Sequence, residues 1–179
     1  MAKASALKPV RENPPRKQVM LLSCMDLRFL DNTVDFMNGM NLQNRYDQVI
    51  LAGSAMGAGR LGTPAAKDGP VLPWKAVFFH HLEAAINTLH REIKDIFLLE
   101  HLDCGAYKYL HPDEKIRKAY EEERDVSKLE KFHRDEAKRF AKEIEKFCKE
   151  QQEATSNDAW KDIHVRCLVM DLTGKVKDL

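Results

Sequence analysis

Four short apolar runs, separated by segments with helical periodicity, set the main limit on how this chain can fold. The runs are Val19–Cys24, Gln48–Ala52, Asp95–Leu99 and His164–Leu172. Each has the length and composition of a strand that is buried on both faces of a sheet. Apolar residues at helical spacing follow the first run and precede the third. Because strands alternate with helices, the sequence predicts an α/β fold with a four-stranded, mainly parallel sheet flanked by helices.

The remaining segments complete the predicted organisation. Residues 1–17 contain five basic residues and three prolines, which predicts an irregular N-terminal arm, and residues 18–179 are predicted to form one domain. Because Gly53–Trp74 is rich in glycine and proline, we expect a long irregular loop there. The capping pattern Ser127–Glu130 predicts the start of a long helix that runs to about Gln151. The many charges of Asp113–Glu150 are expected to form a solvated face.

Composition argues against several classes of protein. The 179 residues include 29 Lys and Arg against 28 Asp and Glu, and this balance does not favour nucleic acid as a partner. The sequence has no apolar run near the roughly 20 residues of a membrane helix and no secretory signal, so a cytoplasmic protein without a membrane partner is expected. Four cysteines are too few for a disulfide scaffold, so their spacing decides whether any of them is a candidate metal ligand or nucleophile.

Two short motifs follow two of the predicted strands. Cys24, Asp26 and Arg28 form a C-x-D-x-R motif after the first strand, and His101 and Cys104 form an H-x-x-C motif after the third. Ligand sites of open α/β sheets lie beyond the carboxyl ends of the strands, so these two loops can meet there. Two thiolates and one imidazole suit Zn²⁺, and three protein ligands leave a fourth position open for chemistry.

The two motifs, whose Cys24 and His101 are 77 positions apart, resemble those of the beta class of carbonic anhydrases. The resemblance continues in Ala52-Gly53, in Gly105-Ala106 and in the ending Val169–Gly174, so it touches most of the chain from Val19. In that family the active-site clefts are built at dimer contacts. The resemblance therefore implies a homodimer or a higher even oligomer.

The resemblance also implies roles for individual residues. Zinc is expected on Cys24, His101 and Cys104, which would make residues 18–179 a zinc-binding domain. Asp26 and Arg28 are expected to form a catalytic hydrogen-bonded pair beside the metal, and Gly53 is expected to bind substrate. The implied reaction is the reversible hydration of carbon dioxide to bicarbonate by zinc-bound hydroxide.

Three alternatives stay open at this point. Most members of the family have serine where this chain has Leu27, and an apolar cleft would suit a hydrolase of carbonyl sulfide or carbon disulfide on the same site. A catalytically silent zinc protein would hold Asp26 permanently on the metal. The G-x-G-x-x-G pattern Gly57–Gly62 would indicate a nucleotide-binding module, but the prolines after it disfavour the helix that such a loop requires.

The other histidines and cysteines receive weaker predictions. His80, His81 and His111 are candidates for carrying the proton that hydration releases, whereas His133 is expected to be structural. Asp103 is interpreted as a solvated turn residue. The two cysteines outside the motifs, Cys148 and Cys167, are expected to pack in the core.

Overall fold

A computed structural model describes residues 18–61, 73–123 and 125–179 of the chain. The predicted N-terminal arm and residues 62–72 of the predicted loop before Trp74 lie outside these residues. The strands are β1 (Gln18–Ser23), β2 (Tyr46–Ile50), β3 (Ile93–His101), β4 (His164–Met170) and β5 (Val176–Asp178). The helices are α1 (Leu30–Gly39), α2 (Ser54–Arg60), α3 (Trp74–Glu83), α4 (Gly105–Tyr109), α5 (Glu114–Glu122) and α6 (Val126–Thr155). Short 3₁₀ turns occur at Leu27–Phe29 and Asp158–Trp160, and a π turn at Ala84–Thr88 extends α3.

The described strands form one sheet in the order β2-β1-β3-β4-β5. The first four pair in parallel, which confirms the predicted α/β class, and β5 pairs antiparallel with β4. The prediction stopped at four strands, because the three residues of β5 are too few to show a strand pattern. β1 lies between β2 and β3 in the sheet. The chain passes from β1 to β2 on one side of β1, and later forms β3 on the other side of β1.

Apolar side chains cover both faces of the sheet. On one face, Met20 and Leu22 of β1 belong to a large core together with residues of α2, α3 and α6, including Phe140. On the other face, Val19 and Leu21 pack in a smaller core with Met37 of α1. Alternate residues of β1 therefore face opposite cores, as expected for a strand that is buried on both sides.

Part of the predicted loop after β2 is helical. Ser54–Arg60 forms α2, and its glycines allow close packing rather than an irregular course. A Cβ atom on Gly57 would lie 2.0 Å from the Ala52 carbonyl oxygen, and one on Gly59 would lie 3.1 Å from the Phe140 ring. These two glycines of the G-x-G-x-x-G pattern thus serve packing around α2, which removes the structural basis for reading them as a phosphate loop.

The long helix is confirmed, with two corrections. α6 spans Val126–Thr155, so it ends beyond the predicted Gln151, and its N-cap is Asp125 rather than Ser127; the Asp125 side chain accepts from the Ser127 N–H. The charged segment is also not wholly solvated, since Glu136 is buried and accepts hydrogen bonds from Arg60 and Arg139. Burial raises the pKa of Glu136, but hydrogen bonds from His111 and Arg60 outweigh it and hold the pKa at about 2. The hydrogen bonds between Arg60 and Glu136 therefore connect α2 to α6.

No helix in the described parts of the chain is both long and apolar enough to cross a membrane.

Candidate metal centre

The sheet places both sequence motifs at one point. β1 and β3 are neighbours in parallel, with Ser23 opposite Leu99, and the chain diverges from them to different sides. Cys24 directly follows β1, His101 is the last residue of β3, and Cys104 lies at the N-terminus of α4. The motifs therefore meet at the carboxyl ends of the strands where the strand order reverses, which is where open α/β sheets bind their ligands.

The three predicted ligand residues converge. One ligand atom each from Cys24, His101 and Cys104 lies within 4.8 Å of the other two, and the Sγ atoms of Cys24 and Cys104 are 3.8 Å apart. Two sulfur atoms that each lie about 2.3 Å from one ion at a tetrahedral angle would be about 3.8 Å apart. The sulfur pair is thus spaced for a shared ion, and both cysteines are free thiols.

The His101 ring is oriented for the same role. Its Nδ1 lies 2.9 Å from the Leu102 carbonyl oxygen, an acceptor, so Nδ1 carries the proton and Nε2 keeps its lone pair. Nε2 is buried and has no hydrogen-bond partner among the described residues. Metal-ligating histidines commonly donate their other N–H to a backbone carbonyl in this way. A buried lone pair next to two thiols is an arrangement that a soft divalent cation would satisfy.

The surroundings of Cys24 favour a thiolate. The pKa of Cys24 is lowered to about 4, chiefly by its hydrogen bond with Cys104; burial opposes this shift, and His101 and the Gly53 N–H assist it. The same sulfur pair, together with burial, raises the pKa of Cys104. The Cys24 thiol therefore loses its proton easily, whereas the Cys104 thiol keeps its proton, which is shared between the two sulfur atoms. A bound dication would favour loss of the second proton as well.

Gly53 lies beside Cys24. Its N–H donates to Cys24 Sγ at 3.3 Å, and its φ of +77° is in the region that favours glycine. A Cβ atom here would lie 2.7 Å from Met56 Cε and 3.0 Å from Ala106 Cβ. The position therefore requires glycine in order to bring a backbone donor to the sulfur atom.

Asp26 and Arg28 form the predicted pair. Arg28 Nη2 lies 2.7 Å from Asp26 Oδ2, and Arg28 Nε lies 3.0 Å from Asp26 Oδ1. These hydrogen bonds lower the pKa of Asp26, so its carboxylate stays ionised. Asp26 Oδ2 is also 3.9 Å from His101 Nε2, which places the carboxylate at the edge of the ligand cluster.

Arg28 has a second partner that the sequence analysis did not assign. Its Nη1 donates to the Asp103 carboxylate at 2.8 Å, and its Nη2 donates to the Asp103 carbonyl oxygen at 3.0 Å. Asp103 has a φ of +56°, so it is a turn residue as expected, but its carboxylate binds Arg28. Arg28 thereby connects the two motif loops.

A narrow recess of about 10 Å³ lies beside the predicted ligand residues. It is lined by Ser23, Cys24, Asp26, Phe29, Thr33, Leu99, Glu100, His101 and Met170. A volume of this size corresponds to about one water molecule.

The remaining histidines separate into two groups. His80 and His81 are exposed on α3, whereas His111 and His133 are buried. His133 has the structural position that the sequence analysis predicted. His111 was predicted as a candidate proton carrier, but its Nε2 lies 3.4 Å from the Glu136 carboxylate inside the protein, which disfavours that role.

Comparison with known sequences gives partial matches. No protein-family model matches the chain. An uncharacterised protein of Rickettsia bellii is 31% identical over 97 residues, which is 54% of this chain and 53% of that protein. An uncharacterised protein of Rickettsia conorii is also 31% identical over 97 residues, covering 54% of this chain and 47% of that protein. The chain thus spans about half the length of the curated relatives that it matches.

Several solved structures of beta-carbonic anhydrases are similar to this chain at low identity. The Coccomyxa enzyme in complex with acetazolamide is 17% identical with a TM-score of 0.48, covering 91% of this chain and 72% of that one. A carbonic anhydrase of Glaciozyma antarctica is 14% identical with a TM-score of 0.46, and the match covers 93% of this chain and 86% of that one. A tetrameric beta-carbonic anhydrase of Sordaria macrospora is 13% identical with a TM-score of 0.39, covering 91% and 80%.

Proposed function

We propose that the chain is a zinc-dependent carbonic anhydrase that hydrates carbon dioxide reversibly to bicarbonate and a proton. The observation that carries this proposal is the convergence of Cys24, Cys104 and the buried His101 within 4.8 Å. The two sulfur atoms and the imidazole would hold Zn²⁺ and leave a fourth position free. When bound, zinc supplies a Lewis acid that lowers the pKa of a water molecule toward neutrality.

Asp26 and Arg28 would then orient the attacking water. The Asp26 carboxylate accepts a hydrogen bond from that water at the free position and directs the oxygen lone pair toward the carbon of carbon dioxide. Arg28 keeps the carboxylate ionised and fixed through a bidentate pair. The pair with Arg28 would compete with any direct bond between Asp26 and the metal, and a catalytically silent protein, with Asp26 on the metal, stays the alternative that the hydration assay below tests.

The surroundings of the ligands suit a small substrate. The recess beside Asp26 has a volume of only about 10 Å³ and is partly apolar, since Phe29 and Met170 line it. Carbon dioxide is larger than this recess and would extend beyond it; because it has no net dipole, it could lie against Phe29 and Met170 without needing hydrogen bonds from them. The contact of Gly53 that we observe is with Cys24 Sγ, and its contact with substrate stays a prediction.

The pH dependence of hydration tests this proposal. Two thiolates cancel the formal charge of Zn²⁺, so the pKa of the water should be lowered less than at a three-histidine site. We expect the hydration rate of the zinc-loaded protein to rise from pH 6.5 to pH 9. Stopped-flow measurement of carbon dioxide hydration, with the metal-free protein as the control, gives this profile directly. A profile that is flat over this range, or a rate equal to that of the control, would contradict the proposal.

A hydrolase of carbonyl sulfide or carbon disulfide is a second candidate. Met25 and Leu27, on either side of Asp26 in the sequence, are exposed by 65% and 87%. Neither side chain lines the recess, but an apolar approach to the site would suit carbonyl sulfide and carbon disulfide as well as carbon dioxide. Turnover of the three gases by one zinc-loaded preparation would separate the candidates.

We also propose a homodimer or a higher even oligomer. Exposed apolar residues follow β1 and β4, and large apolar side chains at a surface are typical of an interface. They are Met25, Leu27, Leu30 and Leu172. One of the similar structures is described as tetrameric.

A further inference from the structure

Glu100, which directly precedes His101, is a buried hydrogen-bond acceptor with three donors. Its side chain is 1% exposed. Oε1 accepts from the Ala55 N–H at 2.9 Å, and Oε2 accepts from Tyr107 Oη at 3.2 Å and from His133 Nδ1 at 2.9 Å. A buried carboxylate is costly unless it is fully hydrogen-bonded, and this one is paired on both oxygens.

One branch of this network leads to Cys104. Because His133 Nδ1 donates to Glu100, its Nε2 is the acceptor, and the Tyr120 hydroxyl donates to it at 2.8 Å. The Tyr120 oxygen in turn accepts from the Cys104 N–H at 3.0 Å. Every hydrogen bond in this branch therefore pairs one donor with one acceptor. The backbone of Cys104 is connected to Glu100 through the buried side chains of Tyr120 and His133.

The other branch leads to Cys24. Ala55, which donates to Glu100, lies two residues after Gly53, and the Gly53 N–H donates to Cys24 Sγ. Glu100 itself is joined by a peptide bond to His101. A single buried carboxylate is thus connected to the segments that carry all three ligands.

We infer that Glu100, His133 and Tyr120 are positioning residues that fix the two cysteines and His101 in the geometry of a metal site. The inference rests on the proposed zinc site. The network fixes the Cys104 backbone, and with it the direction of Sγ, before a metal arrives. Groups that orient metal ligands in this way typically change metal affinity by about 10–100-fold when they are lost.

Two matched tyrosine variants test the inference. Tyr120→Phe and Tyr107→Phe each remove one hydroxyl from a buried ring that bonds to the same network. The Tyr120 hydroxyl contacts the Cys104 backbone, whereas the hydrogen bond of Tyr107 is with Glu100. We expect the zinc dissociation constant, measured by competition with a chelator, to rise about 10–100-fold in Tyr120→Phe and less than about 3-fold in Tyr107→Phe.

The visible absorption of the cobalt-loaded protein gives a second readout, since its bands report on the geometry around the ion. We expect a shift in Tyr120→Phe and none in Tyr107→Phe. A zinc affinity and a spectrum of Tyr120→Phe that equal those of the unmodified protein would overturn the inference. Failure of the unmodified protein to bind zinc would instead overturn the proposed function.

A variant of His133 covers the case in which Tyr120→Phe does not fold. His133→Asn can keep a donor toward Glu100 while removing the acceptor of the Tyr120 hydroxyl. We expect its zinc affinity to fall in the same range. An affinity equal to that of the unmodified protein would overturn the inference in the same way.

Discussion

Replacement of Cys104 with serine is expected to abolish zinc binding and carbon dioxide hydration together. Cys104 is 1% exposed, and its Sγ lies 3.8 Å from Cys24 Sγ. Serine would replace a thiolate by a neutral hydroxyl and leave two ligands. We expect zinc affinity to fall by more than about 100-fold. This loss is larger than the loss that is typical when a group that hydrogen-bonds to a metal ligand is removed. Metal analysis after dialysis, with zinc expressed per chain, measures the effect.

Cys167→Ser is the matched control for this variant. Cys167 is a half-buried residue of β4 and does not belong to the cluster of Cys24, His101 and Cys104. We expect this control to keep its zinc and its hydration rate. Full zinc content in Cys104→Ser, or equal loss in both variants, would show that Cys104 is not a ligand.

Asp26→Asn is expected to lower the hydration rate by about 100-fold while zinc content stays unchanged, in the range typical for a positioned acid or base. The amide is neutral, so it loses the ionic part of the pair with Arg28. It also offers one oxygen where the carboxylate offers two acceptors to Arg28 Nε and Nη2. Stopped-flow rates normalised to bound zinc separate this effect from loss of metal.

The adjacent carboxylate supplies the control. Asp103→Asn keeps the Asp26–Arg28 pair and weakens the second contact of Arg28, a pair whose Asp103 side chain is 64% exposed. Asparagine also tolerates the positive φ of this position. Because exposed ion pairs contribute little, we expect a change of less than about 3-fold. A rate in Asp26→Asn that equals the rate of the unmodified protein would remove the role assigned to this carboxylate.

The convergence of Cys24, His101 and Cys104 could be predicted from the sequence because it follows from the sheet. Cys24 and His101 lie at the ends of strands that are long and apolar enough to be recognised, and parallel neighbours bring such ends together. The spacing of Cys104 then places a second thiol in the loop that follows His101. The contact between Arg28 and Asp103 is different, since it depends on how two loops approach each other across 75 residues of sequence.

Other features depend on tertiary packing, which the pattern of residue types along the sequence does not show. The network around Glu100 joins β3 to α2, α4, α5 and α6, and Glu100 stands in an apolar strand without any motif that marks its partners. α2 is glycine-rich, and its helical form becomes favourable because Gly57 and Gly59 pack closely against neighbouring groups. Glu136 lies in a charged helix, and its burial follows from the face of α6 that meets α2.

X-ray absorption at the zinc edge of the loaded, unmodified protein tests the central claim most directly, because it reads the ligand set itself. The account predicts two sulfur neighbours at about 2.3 Å and two nitrogen or oxygen neighbours at about 2.0–2.1 Å, one of them from imidazole. A spectrum that shows four sulfur neighbours, or only oxygen neighbours, would contradict a site built from Cys24, His101 and Cys104.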